Sequence, residues 1–218
     1  MHIPPELAER LKTIEGRLYT LSLDPGYRVY GERTVMLNGE EWREWSLSRS
    51  KPAAYLALGG KSFPLRREDR VLYLGAASGT TASHFSDILD RGTIYCVEIS
   101  QRPFRNLVSL CNRRGNMVPI LGDASHPATL RFAVDKVDFI YQDVAQKGQA
   151  RIFTDNMMAF NANRGVLVIK ARSEDVTAAP IQIFKKTVKE LEGEGMDILE
   201  CIPLEPYERD HAILVVKN

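Results

Sequence analysis

Apolar residues in this chain gather in short, nearly continuous runs over residues 71–75, 93–98, 117–121, 137–142 and 165–170. Each is bounded by turn-forming residues, and the segments between them are long enough for a helix or an ordered loop. Continuous rather than alternating apolar runs indicate strands buried on both faces, so the βα alternation predicts a mostly parallel sheet with helices on either side. The rhythm breaks near the end. A helical stretch over 180–192 leads to apolar runs at 197–202 and 212–216. A parallel return needs a crossover of about a dozen residues, so these last two strands must pair antiparallel. A sheet of seven strands that ends in an antiparallel hairpin points away from a dehydrogenase.

Residues 1–50 follow another pattern. A short helical opening over 5–12 is followed by strand-like pieces with turns at Asp24-Pro25-Gly26, Gly31-Glu32 and Asn38-Gly39. Asn-Gly between Val35-Met36-Leu37 and the run ending at Trp45 is a strong hairpin signal, because both residues tolerate the left-handed backbone of a two-residue turn. The expected division is a small N-terminal β-rich domain over 1–50 and a main α/β domain over 51–218. Trp42 and Trp45 suit either hairpin packing, the commoner role, or an exposed interaction surface.

Composition narrows the classes. Lys and Arg number 29 against 28 Asp and Glu, a net charge of +1, so any nucleic-acid contact must come from a local patch. The densest basic stretch, Arg43, Arg49, Lys51, Lys61, Arg66, Arg67 and Arg70, is the candidate; it reads equally as a solvated, locally paired surface. Within it, Ser50-Lys51-Pro52 begins an expected capped helix that would project Lys51 from its first turn. The three cysteines are far apart and lack a C-x-x-C pair, against a disulfide framework or a zinc site. The start lacks a signal-peptide pattern and no apolar run spans a membrane, so the expectation is a soluble intracellular protein.

Chemistry concentrates at the first buried strand. Val71-Leu-Tyr-Leu-Gly-Ala-Ala-Ser-Gly-Thr-Thr81 reads as strand, tight turn and helix start. Glycines at 75 and 79 permit sharp turns and close approach. The free N–H groups of the helix start favour a carboxylate or phosphate. Glu98 ends the second strand, about 20 residues on, where an acid can accept both hydroxyls of a ribose; it could also cap the next helix. Ligands of such sheets sit outside the carboxyl ends of the strands. That edge also holds Asp123, suited to an adenine amino group, together with Asp143, Lys170 and the loop 205–211. A lysine beside an aspartate is often only an ion pair, but these share an edge with the cofactor site. His2, His84 and His126 carry no such association.

Those residues, with the runs Gly122-Asp-Ala124, Asp143-Val-Ala-Gln146 and Glu205-Pro-Tyr-Glu-Arg-Asp-His-Ala212, resemble archaeal fibrillarin over essentially the whole chain. The resemblance implies a Rossmann-like class I methyltransferase fold and an S-adenosyl-L-methionine-dependent RNA ribose 2′-O-methyltransferase. Such an enzyme acts on rRNA and tRNA within a box C/D ribonucleoprotein of an archaeal cytoplasm. It implies cofactor contacts at Gly75, Ala77, Gly79, Thr80, Thr81, Glu98, Ile99, Asp123, Ala124, Asp143, Val144, Ala145 and Gln146. The catalytic set it implies is Lys51, Asp143, Lys170 and His211. Box C/D guide RNA, target RNA, a Nop-family scaffold and a kink-turn-binding ribosomal-type protein are the implied partners. Tyr73 departs from the acid many methyltransferases carry at that place. On this reading Lys170 accepts or steers the hydroxyl proton, Asp143 orients it, and Lys51 and His211 hold the ribose and its phosphate. The alternative is a methyltransferase of a protein or small molecule.

Overall fold

Asn38 and Gly39 both take the left-handed backbone, with φ of 54° and 82°, and close the hairpin of β3 (Thr34–Leu37) and β4 (Glu40–Glu44). Glu15 and Gly16 make the same kind of turn between β1 (Leu11–Ile14) and β2 (Arg17–Leu21). The four strands form an antiparallel sheet in the order β1-β2-β4-β3. The structure, a computed structural model, describes residues 3–218; His2 lies outside them.

The helix expected over 5–12 is a single 3₁₀ turn, Pro5–Leu7, and the chain is extended from Leu11. Tertiary contacts override local propensity here. Arg10 Nε donates to the Asp87 carbonyl (2.8 Å), and Leu11 to Ile14 pair with β2. Lys12 Nζ sits 4.3 Å from the centre of the Trp42 ring. Trp42 and Trp45 are both buried, which settles them as packing residues.

The second sheet has seven strands: β5 (Arg70–Leu74), β6 (Thr93–Glu98), β7 (Met117–Leu121), β8 (Phe139–Gln142), β9 (Arg164–Lys170), β10 (Asp197–Pro203) and β11 (His211–Lys217). Their order is β10-β11-β9-β8-β5-β6-β7. β5 to β9 pair in parallel, whereas β11 runs antiparallel to both β9 and β10. Alternation along each strand sends side chains to opposite faces. Tyr73, Cys96, Tyr141 and Val168 enter one apolar cluster; Leu72, Val97, Ile140 and Leu167 enter the other. The helices are α1 (Lys51–Ala57), α2 (Thr80–Ile88), α3 (Gln101–Cys111), α4 (Gln149–Phe160), α5 (Ala171–Glu174) and α6 (Pro180–Gly193). Leu11, Leu18 and Trp45 from the small sheet belong to the same cluster as Phe85 of α2 and Tyr73 of β5. Among the described residues no helix is long and apolar enough to cross a membrane.

A buried ionic seam joins the small sheet to α2. The Arg43 guanidinium pairs with Asp87 (2.7 Å) and Glu32 (2.6 Å), and Arg114 reaches the other oxygen of Asp87 (2.7 Å). His84 lies beside it, stacked on Trp45, with Thr20 Oγ1 2.8 Å from Nδ1 and Tyr30 Oη 2.9 Å from Nε2. The basic stretch from Arg43 to Arg70 is therefore not one phosphate patch. Arg43 is sealed in the seam, Arg67 pairs with Asp90 and Glu9, and Arg70 pairs with Asp135. Of that stretch only Arg49 and Lys51 reach the cavity described next.

Candidate active site

At the carboxyl edge of the seven-stranded sheet the turn after β5 walls a cavity of about 550 Å³. Gly75, Ala77 and Gly79 all have positive φ, a run of left-handed residues that folds the chain back on itself before α2. Gly75 has no alternative: a Cβ there would lie 2.7 Å from the Asp143 carbonyl oxygen. Gly79 is needed for another reason. A Cβ would meet the Leu110 side chain of α3 at 2.6 Å, so this glycine packs a helix rather than facing the cavity. No side chain caps α2, and its first N–H groups, at Thr80 and Thr81, stand at the cavity wall with no helical partner.

Glu98 is buried at the end of β6. Its Oε2 accepts from the Ala77 N–H (2.8 Å) and its Oε1 from the Ser100 N–H (2.7 Å), so the carboxylate braces the turn as well as lining the cavity. Each oxygen keeps a second lone pair for a hydroxyl donor. Beside it Ile99 is 55% exposed, an apolar surface at the cavity rim. Asp123 is not among the lining residues. Its Oδ1 accepts from the Ser125 N–H (2.9 Å), the Ser125 hydroxyl (2.8 Å) and Gln146 Nε2 (3.0 Å), joining two loops behind the rim. Partial burial pushes this carboxyl up, but the bonds from Gln146 and Ser125 outweigh it and hold the pKa at about 2. Ala124 does line the cavity, its carbonyl held by Asn156 Nδ2 (2.8 Å).

On the opposite wall two ammonium groups converge on one carboxylate. Lys51 Nζ lies 3.0 Å from Asp143 Oδ2; Lys170 Nζ lies 2.8 Å from Oδ1 and donates to the Asp143 carbonyl at 2.9 Å. The Asp143 N–H continues the sheet ladder to the Leu74 carbonyl (2.8 Å), which fixes its backbone. Lys51 opens α1 as expected, but Ser50 does not cap that helix. Its hydroxyl accepts from Trp45 Nε1 (2.7 Å) and meets Thr81 Oγ1 at 3.0 Å. His211 stands opposite Lys170 in the β9–β11 register, outside the cavity lining. Its Nδ1 donates to the Arg209 carbonyl (2.6 Å), because a carbonyl can only accept, so Nδ1 carries a proton.

Tyr73 was not among the expected cofactor contacts, yet it lines the cavity floor. Burial, reinforced by the charge of Asp143, pushes its hydroxyl well above the ordinary tyrosine range, so it stays protonated. Its position two residues before Gly75, on the same face of the strand, is the sequence signal for it. Val144, Ala145 and Gln146 complete the wall after Asp143. The other histidines stay apart: His84 is in the buried seam and His126 is at the surface 3.4 Å from Asp123.

The Fibrillarin family profile matches residues 8–218. A fibrillarin-like rRNA/tRNA 2′-O-methyltransferase of Methanothermobacter thermautotrophicus is 46% identical over 203 residues, covering 92% of this chain and 91% of that protein. The protein of the same name from Thermococcus sibiricus is 50% identical over 205 residues, covering 93% and 90%. Among solved structures, fibrillarin of Aeropyrum pernix with natively bound S-adenosyl-L-methionine aligns with a TM-score of 0.83 at 45% identity, covering 94% of this chain and 92% of that one. The fibrillarin of a fibrillarin/Nop5p complex aligns with a TM-score of 0.87 at 43% identity, covering 96% and 97%. With a match over nearly its whole length and relatives this similar, the chain belongs to the fibrillarin family.

Proposed function

We propose that this chain methylates ribose 2′-hydroxyls of RNA with S-adenosylmethionine, through Lys51, Asp143, Lys170 and His211. The observation that carries the reading is the convergence of Lys51 and Lys170 on Asp143 at the wall of a cavity whose other side holds Glu98 and an uncapped helix start. The cavity suits the cofactor. The α2 N-terminus offers free N–H groups to its carboxylate, Glu98 keeps lone pairs for its ribose, and Ile99 with Ala124 gives apolar faces to its base. Asp123 supports the base from behind through Gln146. Bound there, the cofactor supplies a sulfonium methyl already activated for transfer.

The remaining work falls to side chains. Lys170 Nζ, fixed by Asp143 through both carboxylate and carbonyl, steers the 2′-hydroxyl as an ammonium and takes its proton only as the free amine, after releasing one of its own protons to solvent. Lys51 and His211, which flank Asp143 and Lys170, hold the ribose and its adjoining phosphate. Positioning a hydroxyl oxygen in this way supplies roughly 7–11 kcal/mol of such a barrier. Residues 1–50 serve as a platform fixing Thr81 and the start of α1, and residues 51–218 hold the chemistry.

With a net charge of +1, this chain by itself cannot grip a long RNA at physiological salt. The complex of its relative with Nop5p supports a Nop-family scaffold as the partner. A kink-turn-binding protein and a box C/D guide RNA would then present the target strand, in the cytoplasm of the cell. The test is methyl transfer to a target matched to a guide, with and without these partners. Guide-directed 2′-O-methylation that needs the partners is expected. Methylation of a protein or small molecule without RNA would replace this reading by the alternative, and efficient site-specific methylation by the chain alone would remove the scaffold requirement.

A further inference from the structure

β8 stops at Gln142, which pairs with Leu167 of β9, while β9 runs on to Lys170. On its β8 side the main chain of Lys170 therefore has no strand beside it. A side chain fills the place. Gln149 Oε1 accepts from the Lys170 N–H (2.8 Å) and Gln149 Nε2 donates to the Lys170 carbonyl (3.1 Å). A carboxamide carries one acceptor and a donor pair on a planar group, as a peptide does, and so it can stand in for a missing strand residue.

Gln149 is itself held from two sides. Gln142, the residue before Asp143, donates from Nε2 to the Gln149 carbonyl at 2.8 Å. Glu174, at the end of α5 just beyond Lys170, accepts from the Gly148 N–H (3.0 Å) and the Gln149 N–H (2.6 Å). The hydrogen bonds close a ring from Lys170 through α5, Glu174 and Gln149 back to Lys170, with Gln142 tying in the strand end that carries Asp143. Gln149 is 1% exposed and lies outside the cavity lining.

We propose that Gln149 is a positioning residue for Lys170: its side-chain amide fixes the backbone from which the Lys170 ammonium reaches Asp143, and so sets the rate of methyl transfer without contributing to cofactor binding. The inference rests on the reading of Lys170 as the proton acceptor. A side chain freed at its base loses the geometry of its tip, and displacement of about 1 Å can cost up to ~10²-fold in rate.

The test uses Gln149→Met, similar in shape but without donor or acceptor, and Gln149→Glu, which keeps an acceptor and loses the donor. Both are made in the wild-type chain and with Lys170→Ala, in the assembled particle with guide and target RNA. Single-turnover rates, S-adenosylmethionine affinity and melting curves are read together. Gln149→Met is expected to slow transfer ~10–100-fold with cofactor affinity within about twofold, and to add nothing once Lys170 is alanine, since residues acting as one unit are not additive. Gln149→Glu sets an acceptor against the Lys170 carbonyl and should also slow transfer, and it carries the test if Gln149→Met binds no cofactor. An equal fold-loss in both backgrounds, or a loss tracking cofactor affinity, would make Gln149 a structural residue only. A normal rate for Gln149→Met beside a slow Lys170→Ala overturns the positioning role alone. A normal rate for Lys170→Ala overturns the proton-acceptor reading and this inference with it.

Discussion

Asp87 and Asp143 each gather two cations, and the contrast between them separates a sealed cluster from an open one. Around Asp87 the cations are Arg43 and Arg114, and every side chain of the trio is fully buried. The Thr20 hydroxyl and the Leu23 N–H also donate to this carboxylate, leaving it saturated. Around Asp143 the cations are lysines, and the side chains keep 13–19% of their surface open at a cavity wall. Guanidinium never deprotonates and locks through a rigid fork; an ammonium on a flexible stem can be redirected and can give up its proton. The sealed cluster joins two sheets into one body. The open one leaves room for a substrate.

The comparison breaks most sharply at Lys170. Lys170→Ala is expected to cost ~10²–10⁴ in single-turnover rate while cofactor affinity and melting temperature stay near wild type, and Lys170→Arg should not restore the rate. A folded Lys170→Ala protein with a near-normal rate in the assembled particle would reduce the open cluster to another structural ion pair. The mirror experiment is Arg43→Met. Removing one member of a buried pair should cost roughly 3–5 kcal/mol of stability, read by denaturant titration, with the rate per folded molecule little changed. Unaltered stability would show that the seam does not join the sheets.

A smaller effect is expected at Glu98, which borders the cavity but pairs with no cation among the described residues. Glu98→Ala should weaken S-adenosylmethionine binding at least about tenfold, since hydrogen bonds to a charged group are worth ~1.5–3 kcal/mol. Calorimetric titration with an unchanged constant removes Glu98 from the cofactor site. The smallest effect concerns pH and the closed seam. Burial, then the charges of Arg43 and Arg114, hold the His84 pKa well below its usual value. Its unfolded value is about 6.5, so between the two the unfolded chain binds the extra proton. The contribution of His84 is thus full above pH ~6.5 and lost as pH falls below it. Denaturation midpoints at neutral and mildly acidic pH should differ less in His84→Gln than in wild type.

Much of this was legible in the sequence because it depends on local signals. Continuous apolar runs marked the buried strands, and Asn38-Gly39 marked its hairpin. The short connection between the last two runs forced their antiparallel pairing, as found in β10 and β11. The turn 75–81, Glu98, Asp143 and Lys170 share the edge that strand topology assigns to ligands. What escaped was set by partners distant along the chain. Leu11 to Ile14 extend because β2 is there to pair with them, and Ser50 has an ideal capping identity but spends its hydroxyl on Trp45 and Thr81. Arg43 looked like a surface cation because neither Glu32 nor Asp87 is near enough in sequence to reveal a buried pair. Gln149 gave no signal at all, since its partner is the backbone of Lys170.

β11 enters the sheet antiparallel, so its beginning, not its end, lies at the edge where Lys170 finishes. The donor half of the reaction is framed by turns that leave strands, after β5, β6 and β8. The role proposed for His211 sets the acceptor half partly against the segment that leads into β11, residues 204–210. The Leu204 N–H bonds to the His211 carbonyl and the Ala171 N–H to the Asp210 carbonyl, which pins the segment at its two ends, and between them the Tyr207 and Glu208 N–H groups turn back onto the Leu204 carbonyl. Changes of length or identity between those pins alter what His211 meets while the cradle around Gly75 and Glu98 keeps its shape. The stretch that leads to His211 can thus vary without rebuilding the turn that holds Gly75 and Glu98.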